Sequence, residues 1–187
     1  MLLMKRFLSL FAALIMAMAV MMAQDAPKRY GIKSGEVKTV TEMMGQRIES
    51  PSWFDNYGAL MASKANANGM EVSTIMRDGK TYMVNAAAKQ VQEMPAQESI
   101  NYLNLDEATI AKYKIKEIGT DTVAGKECVK YSLEVTQMGQ TAKLTVSVWN
   151  GFPMRSVTNT MGIELLSTIT EIKECEVDPS KFEIPSF

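Results

Sequence analysis

The sequence predicts a mainly β protein: a curled antiparallel sheet forming an incomplete (half) β-barrel with a short helical lid. Three observations predict it. Apolar and polar residues alternate with a period of two along most of the chain, glycine-containing turns punctuate the alternating runs, and one segment near the middle carries helix signals instead. A period of two is the pattern of a half-buried strand.

The first residues stand apart from this pattern. Lys5 and Arg6 form a short positive region, Phe7 to Met22 is apolar except for Ser9, and Ala23-Gln24 opens a polar stretch. This order of charge, apolar run and small residue is that of a secretory signal peptide. The run is shorter than the roughly 20 apolar residues of a spanning helix. Residues 1–23 are therefore expected to be a leader and residues 24–187 a single domain, with Ala17-Met18-Ala19 as a second place where cleavage fits. No cysteine lies near the junction to carry a lipid anchor, so the expected product is periplasmic or secreted, with no stable membrane span after cleavage.

After the leader come the strands of the N-terminal half. Val37, Thr39, Thr41 and Met43 alternate with Glu36, Lys38 and Glu42, and Met70, Val72, Thr74 and Met76 alternate with Glu71, Ser73 and Arg77. Asp78-Gly79 turns the chain into Lys80–Val84, since both central positions of a type I′ hairpin need positive φ. A short strand is expected over Gln90–Met94. Two more are expected between Gln46 and Lys64, with Pro51 confining the first to an edge, an end or a bulge.

Pro95 to Tyr113 breaks the rhythm. Asn104 with Glu107 resembles a capping box, and Ile100, Leu103, Ile110 and Tyr113 supply an apolar face for one or two short helices across the sheet. The clearest strands follow. Val129, Tyr131, Leu133 and Val135 alternate with Lys130, Ser132 and Glu134, and Ala142, Leu144, Val146 and Val148 alternate with Lys143, Thr145 and Ser147. Met138-Gly139, Asn150-Gly151 and Met161-Gly162 separate the runs of an antiparallel meander.

Nine or ten such strands cannot be covered as a flat sheet by one short helical segment, so the sheet must curl around its own apolar face. A curled sheet under a lid encloses an apolar hollow. Its candidate lining is Val37, Met43, Val72, Met76, Tyr82, Val84, Tyr131, Leu133, Val135, Leu144, Val146 and Val148, with Ile100, Leu103 and Ile110 on the lid.

Composition narrows the chemistry. The chain has no histidine, which removes Ser-His-Asp and Cys-His nucleophile pairs and the commonest transition-metal ligand. No catalytic residue, metal site or cofactor is expected. Glu171, Glu174 and Glu176 read as a solvated strand face. Without Lys5 and Arg6 the 20 basic residues fall to 18 against 21 acidic ones, a net charge of −3; nothing in that balance points to nucleic acid or an anionic membrane surface as partner. Six of the 16 methionines lie in the leader, and several others, including Met43, Met70, Met76 and Met83, fall in expected strands. Their flexible thioethers suit either irregular core packing or a surface that accepts varied ligands.

Two stretches resemble the outer-membrane lipoprotein carrier family (LolA-like proteins). Residues 73–85, from Ser73 through Arg77-Asp78-Gly79-Lys80-Thr81-Tyr82 to Asn85, with Lys89-Gln90-Val91, resemble its central hairpin and following strand, and Val177-Asp178-Pro179-Ser180-Lys181-Phe182-Glu183-Ile184-Pro185 resembles its closing segment. Gly119 to Cys128 and Val148 to Pro153 look like exported relatives of that fold. The resemblance implies a half-barrel, a helical lid and a cavity for acyl chains. Two family features have no counterpart: an amphipathic helix before the first strand, where Gln24–Lys33 is short and polar, and an early arginine next to a proline, where Arg47 lies four residues from Pro51.

Cys128 opens the first meander strand and Cys175 follows the fourth. Three strand steps of about 4.8 Å separate them by roughly 14 Å, beyond the Cα separation of about 7 Å that a disulfide tolerates, unless curling closes the gap; pairing of the two stays open. Two functions fit the whole: a carrier or sensor for a hydrophobic ligand such as a lipid or acyl chain, or a cell-envelope structural or protein-interaction module with the same fold, a solid core and an envelope protein as partner.

Overall fold

The structure is a computed structural model and describes residues 28–187 apart from 68–69, 96–99, 138–139 and 161–162. The expected leader, the start of the 95–113 segment and the turns Met138-Gly139 and Met161-Gly162 lie outside the described residues.

The described chain is mainly strand. In order come β1 (Gly35–Met43), β2 (Gln46–Asp55), β3 (Leu60–Ala67), β4 (Met70–Arg77), β5 (Lys80–Asn85), β6 (Gln90–Met94), helix α1 (Glu107–Tyr113), β7 (Lys116–Val123), β8 (Lys126–Gln137), β9 (Gln140–Trp149), β10 (Phe152–Thr160) and β11 (Ile163–Glu174). All eleven strands form one sheet of order β6-β5-β4-β3-β2-β1-β11-β10-β9-β8-β7, and each neighbouring pair in it is antiparallel. The outer strands β6 and β7 do not pair with each other, so the barrel is incomplete. Asp121 of β7 accepts from Ser147 of β9 at 2.8 Å and from Arg155 of β10 at 2.9 Å, reaching over the strands between.

Eleven strands replace the nine or ten expected. The addition is β7, an edge strand whose residues are exposed except at its end and which carries a register shift between Glu117 and Gly119. With polar residues on both faces it has no alternation to detect. Pro51 sits inside β2, opposite Lys38, and the ladder from β2 to β3 runs only from Asp55 to Ser52. It stops beside the residue that has no N–H to give.

One end of the sheet is plugged by the segment before β1. Tyr30 stacks on Phe152 at 3.9 Å and meets Phe54 edge-on at 5.4 Å; Ile32, Val37, Val123, Cys128, Met154 and Ile169 complete this core. The Asn150-Gly151 turn seats the segment: Gly31 N–H donates to the Asn150 carbonyl at 3.0 Å, and a Cβ on Gly151 would lie 2.1 Å from the Arg29 carbonyl oxygen. Burial pushes the Tyr30 hydroxyl up to about 12, the Arg29 charge opposing it.

After β11 the chain crosses the other side of the sheet. Val177, Phe182 and Ile184 pack on Ala62, Ile75, Val84, Trp53 and Leu60, and Arg77 Nη1 donates to the Phe182 carbonyl at 3.3 Å. The segment that resembles the family's closing stretch is thus a strap. Cys128 and Cys175 are both free thiols.

Candidate ligand-binding face

Register divides the sheet into two faces. Residues directly opposite each other in neighbouring strands point the same way. One row of such partners is Val37–Ser52–Ser63–Thr74–Met83; another is Tyr131–Val146–Ser156–Ser167–Thr41–Ile48. Both rows belong to one face, since Val37 and Thr41 are an even number of residues apart on β1. On β1 to β6 this face holds only uncharged residues: Val, Met, Ile, Phe, Ala, Gly, Ser, Thr, Asn and Gln. The opposite face carries the ion pairs Lys38–Glu171, Lys64–Glu71 and Lys80–Glu93. Charge is therefore sorted by face, and the uncharged one is the inner face.

Ten of the twelve expected lining residues share that face. Val37 and Met76 are buried on it, Val37 in the plug, while Met43 and Val72 are half-buried. Tyr131, Leu133, Val135, Leu144, Val146 and Val148 lie together on β8 and β9. Tyr82 and Val84 do not belong: they pair with Ile75 and Ser73 on the outer face, and Val84 is buried there beneath Phe182 of the strap. The strap gives β5 a second apolar side, so its alternation could not show which side faced inward.

The lid also differs from expectation. Ile100 is buried against β8 and β9 together with Tyr102 and Ile115, but Leu103 and Ile110 are 40% and 39% exposed. The covering comes from the stretches on either side of α1, which itself buries no residue. The cap is Asp106, whose side chain accepts from Thr109 N–H at 2.6 Å, not Asn104. Tyr102 stacks over Tyr131, and burial raises its hydroxyl pKa, with Tyr113 and Tyr131 adding to the rise.

The inner face is thus in two states. Over β8 and β9 it is filled by the protein's own side chains. Over β2 to β5 it is half-buried at Ile48, Ser50, Ser63, Ala65, Val72, Thr74 and Met83. The sequence reading missed the serines, threonines and Met83. Their signal was the alternation with Arg47, Glu49, Lys64 and Glu71 on the other side. Ser50 is distinctive: its Oγ is buried without a hydrogen-bond partner. A ligand's carbonyl or hydroxyl could satisfy it. The face offers apolar contact and a few hydroxyls, with no titratable group over β1 to β6. Among the described residues no cluster of Cys, Asp or Glu could hold a metal ion, and no helix is long and apolar enough to cross a membrane.

Solved structures place this arrangement. MucB of Pseudomonas aeruginosa, from its complex with MucA, aligns over 81% of this chain and 56% of its own with a TM-score of 0.53 and 17% identity. The chain shares the fold of the part of MucB that it matches. It spans about half the length of the MucB chains it matches, 50% in a second structure of MucB in complex with MucA(peri). A conserved protein of Thermus thermophilus aligns over 82% of this chain and 86% of its own, with a TM-score of 0.58 and 9% identity. A putative outer-membrane lipoprotein-sorting protein domain from Vibrio parahaemolyticus aligns more loosely, with a TM-score of 0.46, 7% identity and coverage of 82% and 91%. The half-barrel implied by the resemblance of the hairpin and closing segment is the fold found. No protein-family model and no curated protein matches the sequence.

Proposed function

We propose that this is an exported, non-catalytic binding protein whose inner face over β1 to β5 receives a hydrophobic ligand, a lipid or the acyl chain of one. The observation that carries the reading is the sorting of charge: an uncharged, half-buried face continues from a stretch that the protein fills itself. Burying the exposed parts of Val72, Met83 and Ile48 under an acyl chain gains about 25 cal/mol per Å². The unpartnered Ser50 hydroxyl supplies one polar contact for an ester or carboxyl oxygen.

The resemblance to lipoprotein carriers and the fold support this reading. A second reading is favoured by the MucB complexes with MucA: an envelope protein's extended segment could lie on the same face. Native mass spectrometry of the protein after gentle extraction separates the two. A co-purifying mass of lipid size supports the carrier. A bare protein that takes up no added fatty acid or phospholipid removes it and leaves the protein-interaction reading.

A further inference from the structure

The two edges of the sheet are built differently. β7 breaks its ladder with a register shift between Glu117 and Gly119, where Gly119 has φ of +128°, and it carries Lys116 and Glu117 before the shift. Bulges and charges on an outer strand guard it against pairing with another chain. β6 has little of this protection. Its sequence Gln90-Val91-Gln92-Glu93-Met94 holds no proline or lysine, runs in unbroken register with β5, and is exposed at every residue but Met94. Among the described residues β5 is its only strand partner. Every second residue of such a strand directs its N–H and C=O away from the sheet.

We infer that β6 pairs antiparallel with β6 of a second copy of this chain, around a twofold axis through Val91. Opposite residues share a face, so the uncharged face runs on from one copy to the other only when Gln90 and Gln92 meet residues of that same face. Centring on Val91 does this: Gln90 meets Gln92, Val91 meets Val91, and Lys89 meets Glu93 on both sides of the axis. Centring on Gln92 instead sets Val91 against Glu93 and Lys89 against Pro95, and loses the charge match. Both charges are free to meet. Lys89 makes no ion pair among the described residues, and Lys80 takes only Oε2 of Glu93, at 3.1 Å. The apolar side fits as well. Val84 lies buried beneath Phe182 of the strap, and its partner Val91 ends that row exposed at the edge. A second Val91 would cover it. An isologous contact of this kind is the commonest route to a homodimer. A junction of five residues falls below the roughly 1,200 Å² of stable interfaces, so the dimer is weak and depends on concentration.

Sedimentation velocity at low salt, from micromolar to millimolar protein, tests the inference. Wild type should pass from monomer to dimer over that range. K89E and E93K each set like charges opposite one another at both pairs, and each should weaken dimerisation by about tenfold or more. An equimolar mixture of the two variants should recover the dimer, because unlike charges then face each other at both pairs; recovery also shows that both variants fold. Mild oxidation gives a second readout. V91C/C175S should cross-link, since opposite residues of antiparallel strands stand about 4.5–5.5 Å apart at Cα, within reach of a disulfide. I118C/C175S, at the other edge, should not. A wild type that stays monomeric throughout, a dimer that neither charge reversal weakens, or a mixture no better than its components overturns the inference. Cross-linking through I118C in place of V91C also overturns it. None of these readouts involves a ligand on the inner face, so the dimer and the carrier reading fail separately.

Discussion

Arg155 on β10 donates to the Asp121 carboxylate of β7 at 2.9 Å although β8 and β9 lie between them in the sheet. Ser147 of β9, itself buried, donates to the same oxygen at 2.8 Å. The contact ties the edge strand to the body of the sheet. Burial alone would raise the Asp121 carboxyl, but the Ser147 hydroxyl, the Arg155 guanidinium and the Thr122 N–H outweigh it and leave the group below its ordinary value of 3.8.

Asp121→Asn should therefore destabilise the fold by about 1–2 kcal/mol at neutral pH, the scale of a hydrogen bond to a charged group. A depressed carboxyl contributes stability that is complete above its unfolded value and is lost as pH falls through the folded one. The gap between wild type and variant in urea midpoints should hold from pH 7 down to about pH 5 and close as pH falls below 3.8. A gap that widens in acid contradicts the assignment.

Two glycines with the same backbone sign should respond differently. Gly79 has φ of +71° and open space where a Cβ would stand, so Gly79→Ala should cost about 1 kcal/mol, the ordinary penalty of a left-handed position. Gly151 has φ of +83° and the Arg29 carbonyl oxygen 2.1 Å from that point. Gly151→Ala must push the Tyr30 segment off the plug and should cost at least about twice as much. Thermal melts of the two variants check the order.

Much of this fold is legible in the sequence, and the exceptions have physical causes. The β8–β9 pair is plain because its inward residues are apolar, and the Asn150-Gly151 turn that follows has one backbone solution. β7 is hidden because an exposed edge strand has no preferred side. Tyr82 and Val84 take the outer face, where a strap roughly 100 residues later in the chain covers Val84, a non-local fact that no local pattern carries. Ile110 stays exposed on a seven-residue helix that is capped by Asp106, not Asn104, and buries no residue, which the capping pattern alone does not reveal. The inner face was read from its Val and Met residues, whereas its uncharged character rests equally on Ser and Thr, which look like ordinary surface until the register aligns them.

The strap itself can be tested. Phe182 is 3% exposed over Ala62, Ile75 and Val84, so Phe182→Ala should cost about 3–4 kcal/mol, in the range of buried phenylalanine truncations. Trp53, which packs beneath the strap with Lys181 4.6 Å from its ring, should show a red-shifted emission. An unshifted spectrum with full stability would mean the strap is not a structural part of the core.

Ser50→Ala should run the other way. It removes a buried hydroxyl that has no partner in the free protein, so the fold should gain up to about 1 kcal/mol while ligand affinity falls. Loss of stability instead would show that the hydroxyl is satisfied.

The most direct test of the account is a titration of the protein with a fluorescent fatty acid, comparing wild type with Val72→Asp and Met83→Asp at pH 6 and pH 8. Both residues lie half-buried on the inner face with no charged neighbour on β1 to β6. Wild type should bind with the same affinity at both pH values, because that stretch has nothing to titrate, and each Asp should weaken binding by about tenfold or more. Saturable binding that survives both substitutions, or no binding by wild type at all, would contradict the claim that this face receives the ligand.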